Sequence, residues 1–215
     1  LKRAPQSQQE LWEKNELAPR AIDREVSCSL HMAHMGCSSL PEALIKQSIR
    51  AGLSDGWGGS MMGTEFSDVL FGTPKPIDTE ANLGVMVEEN VNIVVHGHDP
   101  SLSEMVCEYA DSPEMIAYAK EMGAKGITVS GVCCTSNEVA MRRGIPMAGN
   151  FLQQENVVLT GACEAIVVDV QCIFPALGPL SKCFHTKFIT TSPIAQMPDS
   201  EFIRFDAKQL MKKQN

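Results

Sequence analysis

The chain has 215 residues, 44% of them hydrophobic and 20% charged, which excludes disordered and fibrous classes and suffices for one large domain or two small ones. A net charge of −8 with no clustered basic surface argues against nucleic acid as the main partner. Apolar runs such as NIVV at 92–95 and AIVVDV at 165–170 fall far short of the ~18 residues that a membrane-spanning helix needs.

The sequence opens on Leu1 and stops at Asn215 in a charged run, and it reads as a piece of a longer polypeptide with no secretory signal in view. Residues 1–85 read as a mostly helical segment. PRAIDREVSCSLHMAHMG has proline at its start, charges in its first turn and glycine at its end, the expected asymmetry of helix signals. LPEALIKQSIRAGLSDG sets Leu44, Ile45, Ile49 and Leu53 at helical spacing, and SMMGTEFSDVLFG does the same with Met62, Phe66, Val69 and Leu70. Between them DGWGGS, three glycines around a tryptophan, reads as an irregular turn.

Residues 86–215 alternate. VNIVVHG reads as a buried strand, PSLSEMVCEYADSPEMIAYAKEMG as one or two helices, and GITVSGV as a second strand. TSNEVAMRRG follows as a short helix with Thr135 or Ser136 as its N-cap. A strand at IPMAGN, a helix at LQQENVVLTG, a strand at AIVVDVQC, a helix at PALGPLSKC and a strand at KFITTS complete the series. The fold expected is α/β, a helical N-terminal segment followed by a Rossmann-like parallel sheet with helices on both faces.

In open parallel sheets, functional groups collect past the carboxyl ends of the strands. Those ends carry His96 and His98 in HGHDP, Cys133 and Cys134 in GVCCT, and Cys172 in VQC, with Cys183 and His185 just before the last strand. Adjacent residues on an extended chain face opposite ways, so only one of Cys133 and Cys134 aims at a small site unless the chain turns between them. A disulfide between neighbours conflicts with the preferred bridge geometry. Zinc sites favour close pairs such as C-x2-C, which are absent. Soft thiolates from distant strand ends with one imidazole suit a larger inorganic centre, and an iron–sulfur cluster needs about four protein ligands. The eight cysteines do not form a small secreted disulfide framework. The glycine-rich GWGGSMMG lies between helices rather than after the first strand, so a nucleotide site is weakly supported.

Five blocks, SDGWGGSMMGTEFSDVLFGTPKP, VNIVVHGHDPSLSEM, GITVSGVCCTSNEVAMRRGIPMAGNFLQQE, VVDVQCIFPAL and CFHTKFITTSP, together resemble the catalytic subunit of the anaerobic nickel–iron–sulfur carbon monoxide dehydrogenases. The resemblance runs from about Pro19 to Pro193. It implies a cytoplasmic enzyme that reversibly oxidises CO with water to CO2, two protons and two electrons at a nickel–iron–sulfur cluster. It also implies a ferredoxin-type electron acceptor, a homodimer, and in some cases an acetyl-CoA synthase subunit as partner.

By motif the resemblance assigns metal ligation to His98, Cys134 and Cys172, and an outer-sphere role to Asp55. His96 and Cys133 would support these ligands without binding metal. Further cluster ligands, and additional [4Fe–4S] clusters, would lie outside this span, leaving the piece alone inactive. Cys28, Cys37, Cys107 and Cys163 match no ligand and are expected to be buried structural thiols, while Cys183 and His185 are at most neighbours of the site. The competing readings are a hybrid-cluster, hydroxylamine reductase-like protein and a catalytically empty α/β interaction module.

Overall fold

The computed structural model describes residues 3–206. The chain divides into two compact units, one ending at Leu70 and the other beginning at Phe71.

The first unit is helical: α1 (Gln6–Lys14), α2 (Ile22–His34), α3 (Pro41–Ser54) and α4 (Met61–Phe71). DGWGGS is not the irregular turn expected but a π-helical turn over Asp55–Ser60 that joins α3 to α4. Two side-chain contacts favour the wide turn. Trp57 meets Trp12 edge-on with ring centroids 5.6 Å apart. Gly58 lies so close to Ile22 that an added Cβ would stand 3.1 Å from its Cδ1. In the first turn of α2 the fully buried Glu25 receives Arg20 through Nε at 2.7 Å and Nη2 at 2.7 Å, and Gln47 Nε2 at 2.9 Å.

Among its described residues the second unit holds six strands, β1 (Val91–His96), β2 (Ile127–Val132), β3 (Met147–Gly149), β4 (Ala165–Val168), β5 (Lys187–Thr190) and β6 (Glu201–Phe202). They form one parallel sheet in the order β3-β2-β1-β4-β5-β6. This is the doubly wound order, whose strand sequence reverses between β1 and β4. The connecting helices are α5 (Pro100–Ala110), α6 (Pro113–Glu121), α7 (Cys133–Arg143), α8 (Gln154–Leu159) and α9 (Leu177–Ser181). The α/β expectation holds; β6 is an additional short edge strand. Glu80 and Ala81, which sequence rhythm groups with the helical segment, run beside β3 instead. Met147 N–H donates to Glu80 O at 2.9 Å, and Ala81 bridges Met147.

Burial on both faces explains the near-continuous apolar strands. Val94, Val132, Ile166, Val168 and Phe188 pack on one face with Val157 and Val158 of α8 and Leu177 of α9. Ile93, Val167 and Ile189 line an apolar cavity of about 370 Å³ with Leu102 and Val106 of α5. Among the described residues no helix is long and apolar enough to cross a membrane.

Register is what positions chemistry. His96 pairs with Val132 on one side and Val168 on the other, so β1, β2 and β4 end at the same level. The residues that follow therefore emerge side by side at the point where the strand order reverses.

Candidate metal centre

After β1 the chain turns at Gly97 with φ 130°, a conformation that glycine adopts without strain. His98 follows, and then Asp99 caps α5 by accepting the Ser101 N–H at 2.9 Å, with Pro100 at the first helical position.

After β2 the turn is tighter. The helix begins at Cys133, capped by Val132, rather than at the Thr135 or Ser136 expected from side-chain capping. Cys133 takes φ 71°, which swings the chain out of the strand within one residue. Main-chain and side-chain bonds then secure the first turn. Thr135 N–H donates to Gly97 O at 2.9 Å, and the Ser103 and Thr135 hydroxyls meet at 3.1 Å. Further along, Arg143 Nε of α7 reaches the buried Glu104 of α5 at 2.6 Å.

After β4, Gln171 and Cys172 both take left-handed backbone conformations, with φ 67° and 57°. Non-glycine residues in that region are uncommon and concentrate at functional sites. Three of the five such residues among those described, Cys133, Gln171 and Cys172, lie at these two strand ends.

The result is a convergence. Ligand atoms of His98, Cys133 and Cys172 all lie within 4.8 Å of one another, with His98 half-buried, Cys133 buried and Cys172 exposed. Cys134 is exposed in the first turn of α7 and is not one of the three, but its thiol adjoins that of Cys133. Burial pushes the Cys133 thiol up to about 12; the main-chain N–H of Cys134 opposes the shift, and the Cys134 and Cys172 thiols add to it. No disulfide links any of the eight cysteines.

Around the three stands a hydrogen-bonded shell. Gln154, buried, donates through Nε2 to Phe151 O at 2.6 Å and Cys172 O at 2.9 Å, while its Oε1 accepts from Phe174 N–H at 2.8 Å. Those three partners fix which end of the amide is oxygen. His96 Nε2 lies 3.0 Å from the same Oε1, so it carries the proton. Burial lowers the His96 pKa, with Gln154 opposing, and the ring is neutral. His96 is thereby linked to Cys172 through Gln154.

Asp169, which the sequence reading passed over, stands one residue past β4. Its Oδ1 accepts from His98 N–H at 2.5 Å and from the Val170 N–H. Burial pushes its carboxyl up to about 6, while the backbone N–H groups of Val170, His98 and Asp99 oppose the shift. A lone aspartate closing an apolar strand was the available signal. Gln154 offered none, being one of two adjacent glutamines.

The donor set suits a soft metal centre: one imidazole and up to three thiols, with His98 Nδ1 buried and lacking a hydrogen-bond partner. Asp55 is exposed in the π-helical turn of the first unit. Cys107 and Cys163 are buried, as expected, and burial pushes each thiol up to about 12. Cys28 is half-buried, and Cys37 is exposed, contrary to expectation. Cys183 and His185 are also exposed. His185 Nε2 lies 3.3 Å from Glu164, which precedes β4 as His185 precedes β5, so this pair belongs to the amino edge of the parallel sheet, opposite the convergence.

A parallel sheet with cysteine and histidine gathered at its topological switch point defines a metalloprotein of the doubly wound class. Residues 1–215 match the Prismane/CO dehydrogenase family, and the chain belongs to it. Carbon monoxide dehydrogenase 1 of Methanosarcina acetivorans is 52% identical over 97% of this chain and 33% of its own length. The carbon monoxide dehydrogenase/acetyl-CoA synthase subunit beta of Moorella thermoacetica is 42% identical over 93% of this chain and 29% of its own. The solved structure of an as-isolated, nickel-free carbon monoxide dehydrogenase from Thermococcus sp. AM4 superposes with a TM-score of 0.92 at 53% identity, over 97% of this chain and 33% of that one. The chain thus spans about a third of the length of these relatives. Their names do not favour the hybrid-cluster reading or the empty interaction module.

Proposed function

We propose that this chain is the portion of an anaerobic carbon monoxide dehydrogenase that brings His98, Cys134 and Cys172 to a nickel–iron–sulfur cluster. The enzyme oxidises CO with water to CO2, two protons and two electrons, reversibly. The observation that carries this reading is the convergence of His98, Cys133 and Cys172 from three strand ends within 4.8 Å. The cluster, when bound, supplies a Lewis-acidic iron that lowers the pKa of water and a nickel site for CO.

The chain's own residues orient and hold. His98 offers an imidazole, and Cys172 a thiol presented by a left-handed turn. Cys134 is the exposed thiol of its pair, open to a large inorganic group, whereas Cys133 is buried in the hydrophobic core. Neutral His96 orients Gln154, which fixes the Cys172 carbonyl. Asp55 of the helical segment serves as an outer group for water or a proton, and the α/β portion contributes the ligands. The remaining ligands and further [4Fe–4S] clusters come from elsewhere in the subunit. Electrons leave to a ferredoxin-type acceptor, the subunit forms a homodimer in the cytoplasm, and an acetyl-CoA synthase subunit is a further partner in the coupled form of the enzyme, the monofunctional form being the alternative.

The test is CO-dependent viologen reduction by the complete polypeptide carrying this sequence, produced anaerobically with nickel. His98→Ala is expected to abolish it, and full activity in that variant would sink the site assignment. Stoichiometric nickel and iron on residues 1–215 alone would overturn the need for ligands from elsewhere.

A further inference from the structure

We propose that Asp169 is a positioning residue that sets His98 for its metal by gripping the main chain of the ligand-bearing turn, without touching the metal itself. This rests on the cluster reading above and extends it to a residue to which neither the resemblance nor the three-ligand convergence gives a role.

Two ligand turns share one carboxylate. His98 N–H donates to Asp169 Oδ1 at 2.5 Å, and the Val170 N–H donates to the same oxygen. The β1 turn that bears His98 and the β4 turn that leads to Cys172 are therefore fastened at one atom. Strand pairing places this atom where it can act. His96 and Val168 are register partners, so Gly97 and Asp169 emerge at the same level on neighbouring strands.

Gly97 completes the device. Its φ is 130°, and a Cβ added there would run into the Asp169 carboxylate. The close approach of carboxylate to main chain requires glycine at this position.

A purely structural anchor would not need to be a carboxylate. The Asp169 side chain is buried, and its Oδ2 has no hydrogen-bond partner. Keeping a partly unsatisfied carboxylate out of water is unfavourable, and an asparagine could accept the His98 N–H with less desolvation. What the carboxylate adds is a stronger, charge-assisted grip on a main-chain N–H. Outer partners that fix a metal ligand are worth about 10–100-fold in metal affinity.

The complete polypeptide is produced anaerobically with nickel as wild type, Asp169→Asn, Asp169→Ala and Gly97→Ala. Each is measured for thermal unfolding, for nickel and iron retained under a chelator challenge, and for its Mössbauer spectrum. Asp169→Ala and Gly97→Ala are expected to retain metal at least about tenfold less well than wild type. Asp169→Asn, nearly isosteric, is expected to unfold near the wild-type temperature yet show an altered spectrum for the imidazole-bound iron, a change that a merely structural role does not produce. Should Asp169→Ala fail to fold, Asp169→Asn decides. Wild-type metal retention together with a wild-type spectrum in Asp169→Asn overturns the proposal while leaving the cluster reading intact. Wild-type polypeptide that takes up neither nickel nor iron overturns both.

Discussion

Gln154 Oε1 stands 3.0 Å from His96 Nε2 while the same amide, through Nε2, donates to the carbonyl of Cys172 at 2.9 Å. One buried side chain thus joins the end of β1 to the turn after β4, and its four partners leave no part of it unsatisfied. Gln154→Leu keeps the volume and deletes every bond. Leaving buried polar partners unpaired costs about 1–3 kcal/mol each, partly relieved by relaxation, so a loss of about 3 kcal/mol is expected. Chemical denaturation measures it. Faster amide exchange at Phe174 would locate the damage in the Cys172 turn.

A second prediction concerns Gly131, the penultimate residue of β2. A Cβ there would run into Ser136 in the first turn of α7, including its main chain at 3.0 Å. Ser136 cannot withdraw easily, because its hydroxyl donates to Cys133 O at 2.7 Å. Gly131→Ala is expected to lower stability by about 1–3 kcal/mol, the usual range for overpacking, visible as a lower unfolding temperature. Because the displaced turn carries Cys133 and Cys134, metal retention by the complete polypeptide should fall in parallel. A variant as stable as wild type would show that the turn yields.

The parallel sheet was legible because strand and helix signals alternate, and because β1, β4 and β5 are short apolar runs bounded by turn residues. The edge at which chemistry gathers followed from the rule for open sheets, and HGHDP, GVCC and VQC all proved to lie there. Three things were hidden for physical reasons. DGWGGS has the composition of a loop, yet Trp57 packing on Trp12 lets a π-helical turn continue α3 into α4. Strand geometry left the cysteine pair ambiguous, since the left-handed turn at Cys133 is a main-chain event that no side-chain pattern announces. Cys183 and His185 stand close in sequence to the Cys172 turn, but they precede a parallel strand and so occupy the opposite edge.

Glu25 gives a prediction in pH. Arg20 beside it, with Gln47, holds its carboxyl down at about 2 against the effect of burial. An ordinary glutamate in the unfolded chain titrates near ~4.3. The folded pKa is lower, so the unfolded state binds more protons between these values. The stabilisation is therefore full above the unfolded pKa and is lost as pH falls through the folded one. Glu25→Gln should lower the unfolding temperature clearly at pH 7. The gap to wild type should close progressively from about pH 4.5 to about pH 2. A gap independent of pH would mean that packing, not the ion pair with Arg20, sets the contribution of this residue.

The cysteine pair supplies the sharpest comparison. Cys133 joins His98 and Cys172 within 4.8 Å, while Cys134 is the exposed member. Cys133 packs in the hydrophobic core, whereas Cys134 is open to a large inorganic group. Removing Cys133 should then cost mainly packing, as expected for a small buried thiol. Removing Cys134 should cost the metal. In the complete polypeptide loaded anaerobically, Cys134→Ala is expected to lose iron and CO-dependent viologen reduction to below about a tenth of wild type, the scale on which loss even of a supporting partner is felt at metal sites. Cys133→Ala should retain the larger part of both and unfold at a lower temperature. Elemental analysis, the viologen assay and thermal unfolding on the same preparations separate the two roles. The reverse ranking would make Cys133 the ligand.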